Sequence, residues 1–255
     1  MNENEKRVYF IGAGPGDPEL ITLKGARLIS QADVIIYAGS LVADELLQGA
    51  REDCEIYNSA SLNLEEITGI IKHSVAQGKN VIRIHSGDPA VYGAVREQMD
   101  ILKSEGIDFE IIPGVSSLGA AAAALKKEYT LPGVSQTVIL TRVEGKTPVP
   151  SKERLRELSS HRASMAIFLS VHMIEEVVSE LLSNYPADTP AAVVQKASWP
   201  EEKVVQGKLE DIALKTRQEN IDKSALVLVG DFLGNNYELS KLYDKSFSHG
   251  YRKEG

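Results

Sequence analysis

The stretch VYFIGAGPGDPELITLKGARLI, residues 8–29, sets the fold class. An apolar run, a glycine-rich loop and an apolar-periodic segment follow one another, the order strand, loop, helix that opens many α/β sheets. The loop fails as a dinucleotide fingerprint, which needs G-x-G-x-x-G with the last glycine packing helix against strand. Gly12 and Gly14 fill the first two places, Asp17 stands at the third, and Gly16 falls one residue early. Pro15 removes a backbone N–H that a phosphate would use. No Gly-Lys-Ser/Thr follows, so the P-loop spacing fails as well. The residues suit a helix start instead: Asp17 as N-cap, Pro18 at the first helical position and Glu19 near the positive end of the dipole.

Outward from this stretch, strands and helices alternate. ADVIIYAG (32–39), EIYNS (55–59), NVIRIHSG (80–87) and IDFEIIPG (107–114) read as strands. A helix capped by Asn63, with Glu66 placed for a capping box, separates two of them. A second helix covers about 94–105, and the alanine-rich LGAAAAALKK (118–127) is a third. Apolar strands between helices predict a mostly parallel sheet covered on both faces. Beyond KEYTLPG (127–133) the alternation loosens. Strands QTVILTR (136–142), SMAIFLS (164–170), AAVVQKA (191–197) and ALVLVG (225–230) are joined by helices over about 152–160 and 174–182. KVVQG resembles an antiparallel edge, so this sheet is expected to be mixed. The fold class is therefore α/β in two domains, 1–115 and 116–240, with a polar tail over 241–255; the chain from Asn235 to Gly255 is expected to fray.

Composition bounds the function. The 255 residues carry 43% hydrophobic and 25% charged side chains, a globular balance. No apolar stretch approaches a membrane span, and MNENEKR lacks a signal-peptide core, so cytoplasmic residence and no membrane partner are expected. The single cysteine, Cys54, excludes an internal disulfide and a cysteine-rich metal site. The formal charge of −8, without a Lys/Arg run, argues against nucleic acid as a partner. The five histidines show no metal-ligand spacing.

Four stretches, taken in order, resemble the tetrapyrrole methylases, the S-adenosylmethionine-dependent enzymes of sirohaem and cobalamin synthesis. They are residues 8–39, VIRIHSGDPAVYG (81–93), IIPGVSSLGAAAAAL (111–125) and ALVLVG (225–230). Within the family, uroporphyrinogen-III methylases place an aspartate soon after the tyrosine of the second strand; here Tyr37 is followed by Ala38, Gly39, Ser40 and Leu41. YAGSLV and ILTRVEGKTPVP (139–150) resemble instead the branch that methylates carbon 11 of precorrin-4 or cobalt-precorrin-4. The resemblance implies a cleft between the two domains, bordered by the GAGPGDP loop, a homodimer, and S-adenosylhomocysteine as product. Gly12 and Gly14 are then expected to be small to leave room.

By the same resemblance the cofactor contacts map onto Pro15, Ser86, Gly87, Asp88, Val91, Ser116, Ser117, Leu169 and Ala197, and Tyr92 is counted with them. Each has a plainer alternative. Pro15 stiffens a turn, Leu169 is core, Ser116 is the N-cap of the alanine helix, and Asp88 before Pro89 is an ordinary turn residue. Tyr92 is either core or lines the cleft with its hydroxyl toward the substrate, and Trp199 is a stacking platform or an anchor. Methyl transfer from a sulfonium needs in-line positioning above all, so no metal is expected and no catalytic base is named. The substrate is rich in carboxylates while the chain is acidic, so local cations must recognise it; Arg83, Arg142, Lys146 and Lys126 are candidates against a reading as surface charge. His85 reads as a satisfied core histidine. The rivals are a methylase acting at another ring carbon, a diphthine-synthase-like enzyme, a nicotinamide-dependent oxidoreductase, and a binding protein without activity.

Overall fold

The computed structural model describes residues 7–244, 247, 248 and 250. The leader 1–6 and most of 245–255, on which the signal-peptide reading and the end of the tail fall, lie outside the described residues. The chain divides into two compact units. One runs to Ala120 and includes Ser198–Pro200; the other comprises Ala121–Ala197 and the chain from Glu201.

The first unit alternates β1 (Val8–Gly12), α1 (Leu23–Ser30), β2 (Val34–Tyr37), α2 (Asp44–Leu47), β3 (Glu55–Asn58), α3 (Leu64–Ala76), β4 (Val81–His85), α4 (Arg96–Ser104), β5 (Phe109–Ile112) and α5 (Ser117–Leu125), and the division between units falls inside α5. Its five strands lie in the order β3-β2-β4-β1-β5, every neighbouring pair parallel. β4 between β2 and β1 departs from the dinucleotide-binding order, in which β1 lies beside β2. The central strands β1, β2 and β4 are buried because helices cover both faces. Ile11, Ile35, Ile82, Ile84 and Ile112 pack with Ile29 of α1 on one side. Phe10, Val34, Ile36 and Val81 pack with Ile67 and Ile71 of α3 and Leu102 of α4 on the other. Each such aliphatic side chain contributes about 1.5–3 kcal/mol on burial.

α3 starts as expected: Asn63 Oδ1 accepts from Glu66 N at 2.9 Å and Glu66 Oε2 accepts from Asn63 N at 2.8 Å. α1 starts later than expected. Asp17 caps only a single 3₁₀ turn, Pro18–Leu20; Ile21 is extended, and Thr22, whose Oγ1 accepts from Gly25 N at 3.1 Å, is the true cap. Thr22 was a second capping signal four residues inside the expected helix.

The second unit contains β6 (Val138–Arg142), α6 (Leu155–Leu158), β7 (Ser164–Phe168), α7 (Ile174–Leu181), β8 (Pro190–Gln195), β9 (Lys203–Lys208), α8 (Leu209–Gln218) and β10 (Ala225–Val229). The order is β6-β7-β10-β8-β9; β6 and β7 are parallel and the remaining pairs antiparallel, with β9 at the edge as KVVQG implies. Met165, Ile167, Val193 and Val227 meet Ile174, Val177 and Leu181 of α7 and Ile212 of α8 in its core. α8 was not anticipated, although Leu209, Ile212 and Thr216 repeat at helical spacing on its buried face and Asp211 Oδ1 accepts from Lys208 N at 2.8 Å. The helix expected over 152–160 is broken into short turns that end with Arg162 at φ 47°. The chain beyond Asn235 is not loose at its start, because Glu238 N donates to Pro132 O at 3.1 Å and Lys127 Nζ donates to Gly234 O at 2.7 Å. Among the described residues no helix is long and apolar enough to cross a membrane.

Candidate active site

Parallel pairing sets Gly12 opposite His85 and Ile11 opposite Ile112, so the chain leaves β1, β4 and β5 at one end of the first sheet. Ligands gather at this carboxyl end in parallel sheets. Here the three departing loops lie backbone to backbone. Gly87 N donates to Gly14 O at 2.7 Å, and Gly14 N to Gly87 O at 3.3 Å. A Cβ at Gly12 would stand 2.5 Å from Gly87 O and 2.6 Å from Gly114 Cα, and one at Gly114 would stand 2.1 Å from Gly87 O. Gly12 and Gly114 are therefore small because the loops touch. The room expected beside Gly12 is filled by protein, and Gly14, at φ +83°, faces Leu20 O rather than an open cleft.

Gly87 is different. Its φ of +61° favours glycine, yet a Cβ there would meet nothing nearer than Ser117 N at 3.8 Å and Ser116 Cα at 3.9 Å. These are ordinary contacts, made with the N-terminus of α5. Ser116 Oγ accepts from Leu118 N at 3.2 Å, so Ser116 is the N-cap of the alanine helix. Ser116 O accepts from Gly119 N at 3.0 Å, and this end of α5 carries the positive pole of its dipole. Asp88 is a turn residue that also ties loops together: Oδ1 accepts from Ala90 N at 2.8 Å and Oδ2 from Gly114 N at 2.9 Å. Val91 N closes the turn onto Asp88 O at 3.2 Å. Tyr92 follows, left-handed at φ 55° and 45% exposed, which rules out a place in the core. Ser86, Gly87, Asp88, Val91, Tyr92, Ser116 and Ser117 thus share one end of one sheet.

Pro15 borders the same end. Its carbonyl accepts from Trp199 Nε1 at 2.8 Å, Asp17 N donates to Ser198 Oγ at 3.0 Å, and a Cβ at Gly16 would stand 2.1 Å from the indole. Trp199 is an anchor of the GAGPGD loop.

In the second unit, Leu169 and Ala197 follow β7 and β8. Ala225 of β10 pairs with Gln195, and Val227, two residues on, pairs with Ile167, so both follow at one end of that sheet. Ala197 is buried, whereas Leu169 is 64% exposed and left-handed at φ 56°, not core. Arg142 is occupied by its own loop: Nη1 donates to Thr147 O at 3.1 Å and Nη2 to Pro148 O at 2.8 Å.

Two charged or titratable residues of β4 correct the sequence reading. Arg83 is 5% exposed, so it is neither a surface charge nor a cation offered to a substrate; burial lowers its pKa to about 10. His85 is core but not satisfied, because its Nε2 has no hydrogen-bond partner. Burial, and then the charge of Arg83, push its pKa down to about 3, against a smaller opposing contribution from the Gly93 backbone.

The family model of the tetrapyrrole (corrin/porphyrin) methylases matches residues 7–213. The chain is 58% identical to a cobalt-precorrin-4 C(11)-methyltransferase of Methanocaldococcus jannaschii over 98% of both chains. It superimposes with a TM-score of 0.88, at 47% identity, on the X-ray structure of the cobalamin biosynthetic enzyme cobalt-precorrin-4 methyltransferase, CbiF, covering 90% of this chain and 96% of that one. A uroporphyrin-III C-methyltransferase of Thermus thermophilus, solved with S-adenyl homocysteine, matches with a TM-score of 0.74 at 29% identity over 89% and 93% of the two chains. The chain belongs to the tetrapyrrole methylases.

Proposed function

We propose that this chain is an S-adenosylmethionine-dependent methyltransferase acting on carbon 11 of cobalt-precorrin-4, a step in building the corrin ring of cobalamin. The observation that carries the proposal is 58% identity, over 98% of both chains, to a protein of that name. The residues at the carboxyl end of the first sheet fit the methyl donor. A Cβ at Gly87 would find only ordinary contacts with Ser116 and Ser117, and these neighbours are small and polar. We propose Pro15, Ser86, Gly87, Asp88, Val91, Tyr92, Ser116 and Ser117 as its contacts, with Leu169 and Ala197 as further ones.

Bound there, S-adenosylmethionine supplies a methyl group already activated on a sulfonium, so the protein's task is alignment, worth about 7–11 kcal/mol in well-oriented reactions. Gly87 admits the donor against bare backbone. The N-terminus of α5 lies beside Gly87 and favours negative charge, such as a carboxylate. Asp88 spends both oxygens on loop N–H groups and so fixes the floor of the site. His85 is buried and neutral and has no route to a substrate proton.

The test is incubation with S-adenosylmethionine and, in parallel, cobalt-precorrin-4, metal-free precorrin-4 and uroporphyrinogen III. The expected product carries one new methyl on carbon 11 by mass and NMR. Methylation of uroporphyrinogen III, or of another ring carbon, overturns the substrate assignment. Calorimetry showing NAD binding and no response to S-adenosylhomocysteine overturns the enzyme class. We propose further that the protein works as a homodimer, as the family resemblance implies, and in the cytoplasm, as its composition suggests; light scattering at a monomer mass would end the dimer proposal.

A further inference from the structure

β4 carries a polar cluster that the proposed donor contacts leave unexplained. Alternation along a strand places Arg83 and His85 on one face. There His85 lies by Phe10, with ring centroids 6.1 Å apart, and Arg83 reaches Gln98 of α4. Arg83 and Gln98 are each at least 95% buried. Arg83 has no carboxylate partner among the described residues. Its Nη1 donates to Ile36 O at 3.2 Å and Ile84 O at 3.3 Å, and its Nε donates to Gln98 Oε1 at 3.3 Å. Gln98 then donates through Nε2 to Ala94 O at 2.9 Å.

This chain of bonds ends at a strained stretch of backbone. Tyr92 and Ala94 are left-handed at φ 55° and 48°. Between them Gly93 is so tightly turned that a Cβ would stand 2.3 Å from Pro89 O. Residues with a Cβ keep such angles only where their surroundings impose them. A buried guanidinium without a carboxylate is costly, and an apolar residue of similar volume is often the more stable choice. The cost is intelligible if the cluster serves the loop rather than the core.

We propose that Arg83 and Gln98 are positioning residues, a buried brace from the end of β2 to Ala94 that holds the 86–94 loop in the shape that receives the methyl donor. The proposal rests on the donor lying at this loop. An unbraced loop must be ordered at binding, and that cost appears as lost affinity.

The test compares wild type, Gly87→Leu, Gln98→Glu and Gln98→Met, each as the full chain, by calorimetry with S-adenosylhomocysteine and by thermal melting. Gln98→Glu keeps the side-chain shape and the acceptor for Arg83 but cannot donate to Ala94 O. We expect it to melt within a few degrees of wild type and to bind S-adenosylhomocysteine about tenfold more weakly, equivalent to about 1.4 kcal/mol. KM for the donor should rise by the same factor with kcat held within about twofold. A merely structural role would lower the melting temperature and leave affinity and KM alone, and unchanged affinity in folded Gln98→Glu overturns the brace. Should Gln98→Glu fail to fold, Gln98→Met, which removes both ends of the relay without adding charge, decides by the same two outcomes. Loss of binding in Gly87→Leu but in neither Gln98 variant overturns the brace alone. Unchanged binding in Gly87→Leu removes the donor from the loop, and the brace proposal with it.

Discussion

In the first sheet the chain leaves β1, β4 and β5 over three glycines that let the loops touch, whereas in the second it leaves β7 and β8 through Leu169 and Lys196, both left-handed. Glycine adopts such turns at little steric cost, while a residue with a Cβ gives up about 1–2 kcal/mol. The first sheet sets glycines where its loops cross and has its left-handed Tyr92 and Ala94 further along the loop after β4; the second holds left-handed residues directly at its strand ends by surrounding structure. The buried polar groups differ in the same way. Under the first sheet they include Arg83, His85 and Gln98, whereas in the second unit they are hydroxyls such as Thr141, Ser164, Ser170 and Thr216. Local rules are broken most often at functional sites, and here the two units break different ones.

The largest effect is expected where the first sheet's loops cross. Gly114→Ala drives a Cβ into the Gly87 carbonyl, with backbone on both sides, and should cost about 3 kcal/mol or more. Urea unfolding measures it; a loss under about 1 kcal/mol would show that the crossing yields easily and that the contrast with the second sheet is superficial. Next comes Gly87→Leu, whose new side chain starts in ordinary contact with Ser116 and Ser117 on a left-handed backbone. It should keep its circular dichroism and lose about a hundredfold in S-adenosylhomocysteine affinity, or about 2.7 kcal/mol. Full affinity in the folded variant would move the donor away from this loop.

His85 sharpens the comparison through pH. Burial lowers its pKa from the ordinary 6.5 to about 3. Between those values the unfolded chain binds a proton that the native one refuses, so stability falls as pH drops below 6.5. His85→Leu should remove about 2 kcal/mol of the loss between pH 7 and pH 5. Equal pH dependence in wild type and variant would place the titrating group elsewhere. The smallest effect belongs to the second sheet. Leu169→Gly relieves a left-handed leucine and should raise stability by about 1 kcal/mol. If Leu169 contacts the donor, the same change weakens S-adenosylhomocysteine binding, and a gain in stability with affinity intact would leave the strain unexplained by that contact.

The central strands were legible because they are apolar runs that helices cover on both faces. Their order was not, since β4 inserts between β2 and β1 through crossovers that no local pattern encodes. VIRIH shows how the same legibility misleads. Its arginine invites a surface reading, yet a parallel strand covered on both faces has no surface side, so Arg83 had to be buried. The glycines advertised a loop end but not its cause: Gly12 serves Gly114, which lies a hundred residues away in sequence. Leu169 entered only by family resemblance, because nothing in FLSV announces a positive φ. α8 is legible in LEDIALKTRQ, where Leu209, Ile212 and Thr216 recur at helical spacing beyond the edge strand β9.

The chain contains one tryptophan. Trp199 presses its ring against Gly16 and donates to the carbonyl of Pro15. Any intrinsic emission from indole in this protein therefore originates beside the GAGPGD loop. The molecule carries its own optical reporter there, without label or mutation, and a titration followed at that wavelength reads the state of this loop alone.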